Sequence, residues 1–322
     1  MNSKGFIRNV LFFSITLAAL VILPFIGIMA QSTHGMSDDA IIKSNQFISS
    51  GDFKRAASIL TTAINADPTY APLYMQRGIV SGMQNKFEQA ISDFNRVIAL
   101  NPDIVEAYYS RGLAYGRSNR LDKAIEDYNA AIKLRPEYTE AYYNRGLMYY
   151  QKGDYDAAKS DFLKVTQINP AYYNAYYNLS LVNNQQGNEE LELKNLNHTL
   201  MINPNHAQAY FNRGLIYFNR KEYEEAKSDY AKVNELQPEY PAGHYNMAAV
   251  YERMRRYKLA KEEFLIFMEL AQDEDSQLVA NIKEKMPMID DWIIHYDSLE
   301  QIYGDSIYNI QPLQLRKAEP ED

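Results

Sequence analysis

No cysteine occurs in the 322 residues, which excludes disulfides, thiolate metal sites and cysteine catalysis. Histidine is scarce too: His34, His198, His206, His244 and His295 are scattered without metal-ligand spacing. The chain lacks a basic cluster and has a formal charge of -8, whereas a nucleic-acid backbone requires a groove of cations to replace its counterions. Nor does it contain a phosphate-cradling glycine loop, a metal-binding histidine pair or a nucleophile motif. Asp290 and Asp291 stand beside Trp292 in a helical stretch and read as surface charge rather than general acids. Catalysis, cofactors, bound metals and nucleic-acid partners are therefore not expected.

What the chain does contain is a ruler. Prolines stand at 68, 102, 136, 170, 204 and 238, each 34 residues after the one before, and such self-similarity signals stacked repeats. The stretch from Ala141 to Pro170 shows the unit. Tyr142, Gly146 and Tyr149 recur at helical spacing, then Tyr155, Ala158 and Phe162 do so again. Gly153 supplies the left-handed residue that ends the first helix, Asp154 caps the second, and Asn169-Pro170 stops it. Gly146 and Ala158 are small where two helices must approach closely.

This pattern resembles the tetratricopeptide repeat, a 34-residue helix-turn-helix. Its first-helix signature reads Tyr74-x-x-Arg77-Gly78, Tyr108-x-x-Arg111-Gly112, Tyr142-x-x-Arg145-Gly146 and Tyr210-x-x-Arg213-Gly214, and its second-helix alanines are Ala56, Ala90, Ala124, Ala158, Ala226 and Ala260. Seven repeats fit, beginning at Ser37, Ala71, Val105, Thr139, Tyr173, Ala207 and Pro241. The resemblance implies an all-α fold, a right-handed curved α-solenoid over residues 37–274. The fifth repeat departs from it, with Ser180 for the glycine and Glu192 for the alanine, and the seventh carries Gln272 in place of its terminal proline. The first repeat, with Ala40, Ser44 and Phe47 on its first helix, reads as an N-terminal cap.

Both ends of the chain differ from the array. Lys4 and Arg8 precede an uncharged run from Val10 to Ala30, the layout of a secretory signal peptide. The run is also long enough for a retained membrane anchor, which needs roughly 20 residues. Either way the positive flank keeps the extreme N-terminus cytoplasmic and sends the residues beyond the run across the membrane, so the expected location is the periplasm or cell envelope. Residues 31–36 read as a linker. Past Asp275 an apolar stripe continues through Leu278, Ile282, Ile289, Trp292, Ile293, Tyr296, Leu299 and Tyr303, with Pro287 separating or kinking two helices. Residues 275–303 are expected to cap the last repeat, and 304–322 to form a polar tail.

Two constellations repeat with the array. Arg77 with Asp93, Arg111 with Asp127, Arg145 with Asp161 and Arg213 with Asp229 are each sixteen residues apart, and both members are missing together elsewhere: Leu179 with Asn195, Lys43 with Ile59, Met247 with Glu263. An ion pair between the two helices of a repeat is expected, because the planar arginine fork binds a carboxylate through two bonds. The second set is Tyr109, Tyr143, Tyr177, Phe211 and Tyr245, followed one residue later by Asn144, Asn178, Asn212 and Asn246. In tetratricopeptide arrays these positions line the concave groove, and the ladder resembles one that holds an extended peptide by its backbone. An amide offers both a donor and an acceptor. The alternative is that these residues support packing between adjacent helices. The lysines of the family's carboxylate clamp are absent, with Glu106, Glu140 and Asn174 in their places. The resemblance implies a noncatalytic scaffold for a protein or extended peptide. A glycan-binding module, or an architectural subunit working through its convex face or cap, are the other readings.

Overall fold

The computed structural model describes residues 34–271 and 277–303. The expected export segment, most of the linker and the polar tail lie outside these residues. The chain divides into two compact units, Met1–Asn169 and Pro170–Asp322. The described part of the first holds α1 (Gly35–Ser49), α2 (Phe53–Ala66), α3 (Ala71–Met83), α4 (Phe87–Leu100), α5 (Val105–Arg117), α6 (Leu121–Leu134), α7 (Thr139–Lys152) and α8 (Tyr155–Ile168). The second holds α9 (Tyr173–Gln185), α10 (Glu189–Ile202), α11 (Ala207–Asn219), α12 (Tyr223–Leu236), α13 (Pro241–Arg253), α14 (Tyr257–Leu270) and α15 (Gln277–Tyr303). The fold is all-α. In each unit an odd-numbered helix packs on the even-numbered helix after it, and that helix packs on the next odd one.

The turn inside a pair follows from its residues. Gly153 ends α7 at φ 82°, a conformation that costs glycine nothing, and the Asp154 amide donates back to the Tyr149 carbonyl at 2.9 Å. The Asp154 side chain then accepts from the Ala157 amide at 3.2 Å and caps α8. Asn85, Asn119, Lys221 and Arg255 take the same left-handed conformation at the matching turns without being glycine.

Packing within a pair rests on a lock of fixed spacing. A Cβ added to Gly146 would lie 2.8 Å from Cε1 of Phe162, and Gly78 with Phe94, Gly112 with Tyr128 and Gly214 with Tyr230 are similarly close. In these four repeats it is glycine that lets the ring of the second helix press so closely against the first. Phe162, Tyr128 and Tyr230 are fully buried as a result, each worth about 1.5–3 kcal/mol in burial. Where serine replaces glycine the ring gives way to leucine, Ser44 facing Leu60 and Ser180 facing Leu196, whereas Ala248 still faces a ring, Phe264, at the same interval; all six side chains are buried.

Two expectations about boundaries differ from what is found. Helix α1 starts at Gly35, inside the expected linker, because the His34 carbonyl accepts from the amides of Ser37 and Asp38 and closes the first turn early. The expected pair of capping helices is one: α15 runs unbroken through Pro287. A proline in a helix interior costs about 3 kcal/mol, but Val279, Ile282 and Ile289 on either side of it are buried against Phe264 and Phe267, and that packing offsets the cost. Trp292 packs on Tyr257 with ring centroids 4.7 Å apart.

Candidate functional site

The arginine forks are laid out repeat by repeat. Arg145 donates from Nε to Asp161 Oδ2 at 2.8 Å and from Nη2 to Oδ1 at 2.6 Å. Arg77 holds Asp93 at 2.9 and 2.7 Å, Arg111 holds Asp127 at 2.8 and 2.6 Å, and Arg213 holds Asp229 at 2.8 and 2.6 Å. All four carboxylates are buried. Burial pushes the carboxyls of Asp127, Asp161 and Asp229 up, and the facing guanidinium draws them part of the way back. Burial also works against the charge of Arg145 and Arg213, yet their bonds to the carboxylates raise both.

Each fork has a third arm that the sixteen-residue pairing does not reveal. Nη1 of Arg111 donates to Asn95 Oδ1 at 2.6 Å, that of Arg145 to Asn129 at 2.5 Å and that of Arg213 to Asn197 at 2.7 Å; Arg77 reaches Thr61 at 3.2 Å. Each partner stands on the second helix of the preceding repeat. The signal was there to find, since Leu163 and Ala231 occupy the asparagine position ahead of Leu179 and Met247, where no arginine follows. Tyrosine rings flank the guanidinium as well, Tyr142 at 5.3 Å and Tyr149 at 5.9 Å from that of Arg145. So enclosed, these arginines form no open basic row for a ligand.

The aromatic and amide ladder is laid out differently from the expectation of exposed amides presenting both donor and acceptor. Tyr109, Asn144, Asn178 and Phe211 are buried, and Tyr143, Tyr177, Asn212, Tyr245 and Asn246 are half-buried. The amide donors are turned inward. Nδ2 of Asn144 donates to the Glu140 carbonyl at 2.8 Å and to the Tyr109 hydroxyl at 3.0 Å. Asn178 and Asn246 donate to the carbonyls of Asn174 and Ala242 at 2.8 and 2.7 Å, and Asn212 donates to the Tyr177 hydroxyl at 3.4 Å. The physical cause is the lean of helical side chains toward the preceding turn, which brings the amide against the carbonyl four residues back. Hydroxyl-to-amide bonds such as Tyr109 to Asn144 tie one repeat's first helix to the next. The aromatic rings pack too: Tyr143 on Phe162 at 5.8 Å, Phe211 on Tyr230 at 5.8 Å, Tyr245 on Phe267 at 5.4 Å. What the ladder offers outward is therefore confined to its half-buried members, the amides of Asn212 and Asn246 and the ring edges of Tyr143, Tyr177 and Tyr245.

Two further groups in the second unit belong to neither constellation. His206 caps α11, its Nδ1 accepting from the Ala209 amide at 3.1 Å, with Tyr177 4.6 Å away. Burial holds its pKa down, which suits a ring nitrogen that must stay unprotonated to accept. Glu192, at the position of the fully buried alanines, is itself buried and accepts from Asn184 Nδ2 at 3.0 Å. Burial pushes its carboxyl up.

No curated protein matches the chain by sequence. Among solved structures, a tetratricopeptide repeat protein from Parabacteroides merdae is 22% identical, with a TM-score of 0.57 over 79% of this chain and 99% of that one. YrrB, described as a tetratricopeptide repeat protein with an unusual peptide-binding site, is 25% identical, with a TM-score of 0.51 over 59% of this chain and 97% of that one. PilF of Pseudomonas aeruginosa is 16% identical, with a TM-score of 0.58 over 67% of this chain and 97% of that one. Models of the tetratricopeptide repeat match residues 83–119, 117–153, 139–172 and 207–240. The chain carries tetratricopeptide repeats.

Proposed function

We propose that this protein is a noncatalytic interaction scaffold of the cell envelope, holding an extended peptide or a partner's surface along the first helices of its repeats. The observation that carries the reading is the periodic ladder, in which the inward-turned donors of half-buried Asn212 and Asn246 leave their Oδ1 atoms as the acceptors for N–H groups of a ligand backbone. The likeness to YrrB supports a peptide as ligand. The tyrosine faces also favour a peptide over a glycan, because Tyr177 and Tyr176 are engaged by His206 and His198 rather than open for a sugar to stack on. Export rests on Lys4, Arg8 and the apolar run after them.

The test is a crosslinking pull-down from envelope extract. It compares the chain with a variant carrying Tyr143→Ala, Tyr177→Ala, Asn212→Ala and Tyr245→Ala whose folding is checked by circular dichroism. A protein captured by the first and lost with the folded second is the expected outcome. Equal capture by both would move the contact to the convex face or the cap.

A further inference from the structure

One face in the second unit carries no charge. On α11, Gln208, Asn212, Leu215 and Asn219 follow one another at four, three and four residues, and on α9, Asn174, Asn178, Leu181 and Gln185 repeat the same order 34 residues earlier. Such spacing places each set on one side of its helix. Charge stands at matching positions on other first helices, with Glu106 and Arg117 on α5, Glu140 on α7 and Arg253 on α13, while α3 has Pro72, Gln76, Ile79 and Met83 there. The whole stretch from Val165 to Asn188 has no ionisable acid or base other than tyrosine. Gln185 and Asn219 are exposed, and Leu181 and Leu215 are half-buried. On the α11 side Gln208 Oε1 is buried without a partner, while its amide donates to the Tyr240 hydroxyl, and Asn212 spends its own donor on Tyr177.

A ligand for this face must supply N–H donors and aliphatic contact without charge, since an ion would lose water there and meet no counter-ion. One segment of this chain has that chemistry. Ser306–Leu315, reading SIYNIQPLQL, is uncharged and rich in amide and aliphatic side chains, and it starts three residues after the end of α15 in the same unit. Pro312 biases itself and Gln311 toward extended backbone, which reduces the entropy lost on binding. Twelve residues from Gly304 reach about 40 Å when extended. With first helices about 10 Å apart, that covers the way from α15 past α13 to α11 and α9.

Building on the peptide reading above, we propose that the uncharged face of α9 and α11 binds Ser306–Leu315 of the same chain, so that the tail competes with outside peptides of like composition. A tethered segment acts at an effective concentration on the order of 1 mM. With an intrinsic affinity of about 100 μM for the tail segment itself, an outside peptide would therefore bind the intact chain about tenfold more weakly than a chain with a disabled tail.

The experiment titrates a fluorescent peptide of residues 304–317 into the full chain, into the full chain carrying Ile310→Asp and Leu313→Asp, and into that variant with Gln185→Asp and Asn219→Asp added, both at exposed positions. Anisotropy should report binding about tenfold tighter to the tail variant than to the intact chain, and no binding to the third protein. Equal affinity for the first two proteins would overturn the proposal, as would competition that depends on protein concentration, which would put the tail on a second copy. If unrelated uncharged peptides bind the tail variant and this one does not, the tail contact falls and the peptide reading stands. If no peptide binds it, both fall.

Discussion

The fourth and fifth repeats reach the same helix pair by different means. In the fourth, Gly146 admits the Phe162 ring, Arg145 forks onto Asp161, and Ala158 lies flat between the helices. The fifth has Ser180 against Leu196, Leu179 and Asn195 where the fork would be, and buried Glu192 in place of alanine. Both pairs are nevertheless formed by helices of the same kind, α7 with α8 and α9 with α10. The fork is thus dispensable for pairing itself. Its value lies in holding a carboxylate and a guanidinium that would be costly to bury alone.

That contrast can be broken in three places. The largest effect should come from Asp161→Ala, which strands Arg145 and is expected to lower stability by about 3 kcal/mol in a denaturant melt. An unchanged melt would remove the fork as a stabilising feature. Next, Gly146→Ser should cost about 1–3 kcal/mol by driving a side chain into Phe162. Adding Phe162→Leu, the partner that the fifth repeat uses, should recover about 1 kcal/mol of coupling in a double-mutant cycle. Purely additive losses would mean that the two positions do not read each other. The smallest change is a gain. Glu192→Ala restores the residue of the other repeats and should stabilise by about 1 kcal/mol at neutral pH. Since burial raises this carboxyl above its usual range, its favourable contribution is present below the unfolded value near 4.5 and is lost as pH rises through the folded value. Glu192→Gln should therefore flatten the stability profile from pH 4.5 toward neutrality, and a profile unchanged by the substitution would count against that burial effect.

Much of the fold was legible because proline and glycine punctuate it: six in-phase prolines fix the period, and the first helices of the later repeats start where that period puts them. The pairing of Arg145 with Asp161 could be read because both vanish together in other repeats. The ladder was harder. Nothing in the order Tyr-Asn tells which way an amide turns, and the choice between ligand and helix was made by the Glu140 carbonyl one turn back. At Pro287 a sound local rule lost to packing on both sides of it. The burial of Glu192 follows from its alanine register, but the single amide that meets it, from Asn184, becomes visible only once α9 and α10 are placed together.

The third arm of the fork bears on how such an array can lengthen or shorten. Arg213 leans on Asn197, a residue of the fifth repeat, which has no fork of its own. The fifth repeat thus keeps what its successor needs after discarding what served itself. Copying or deleting one repeat would leave every helix pair whole, yet a repeat with a fork would keep its third arm only where the new upstream neighbour brings an acceptor to the seam, as Asn197 does for Arg213 and Thr61 for Arg77. The unit of inheritance in this chain is then not the 34-residue repeat but a frame shifted by half a repeat, running from a second helix to the first helix of the next pair.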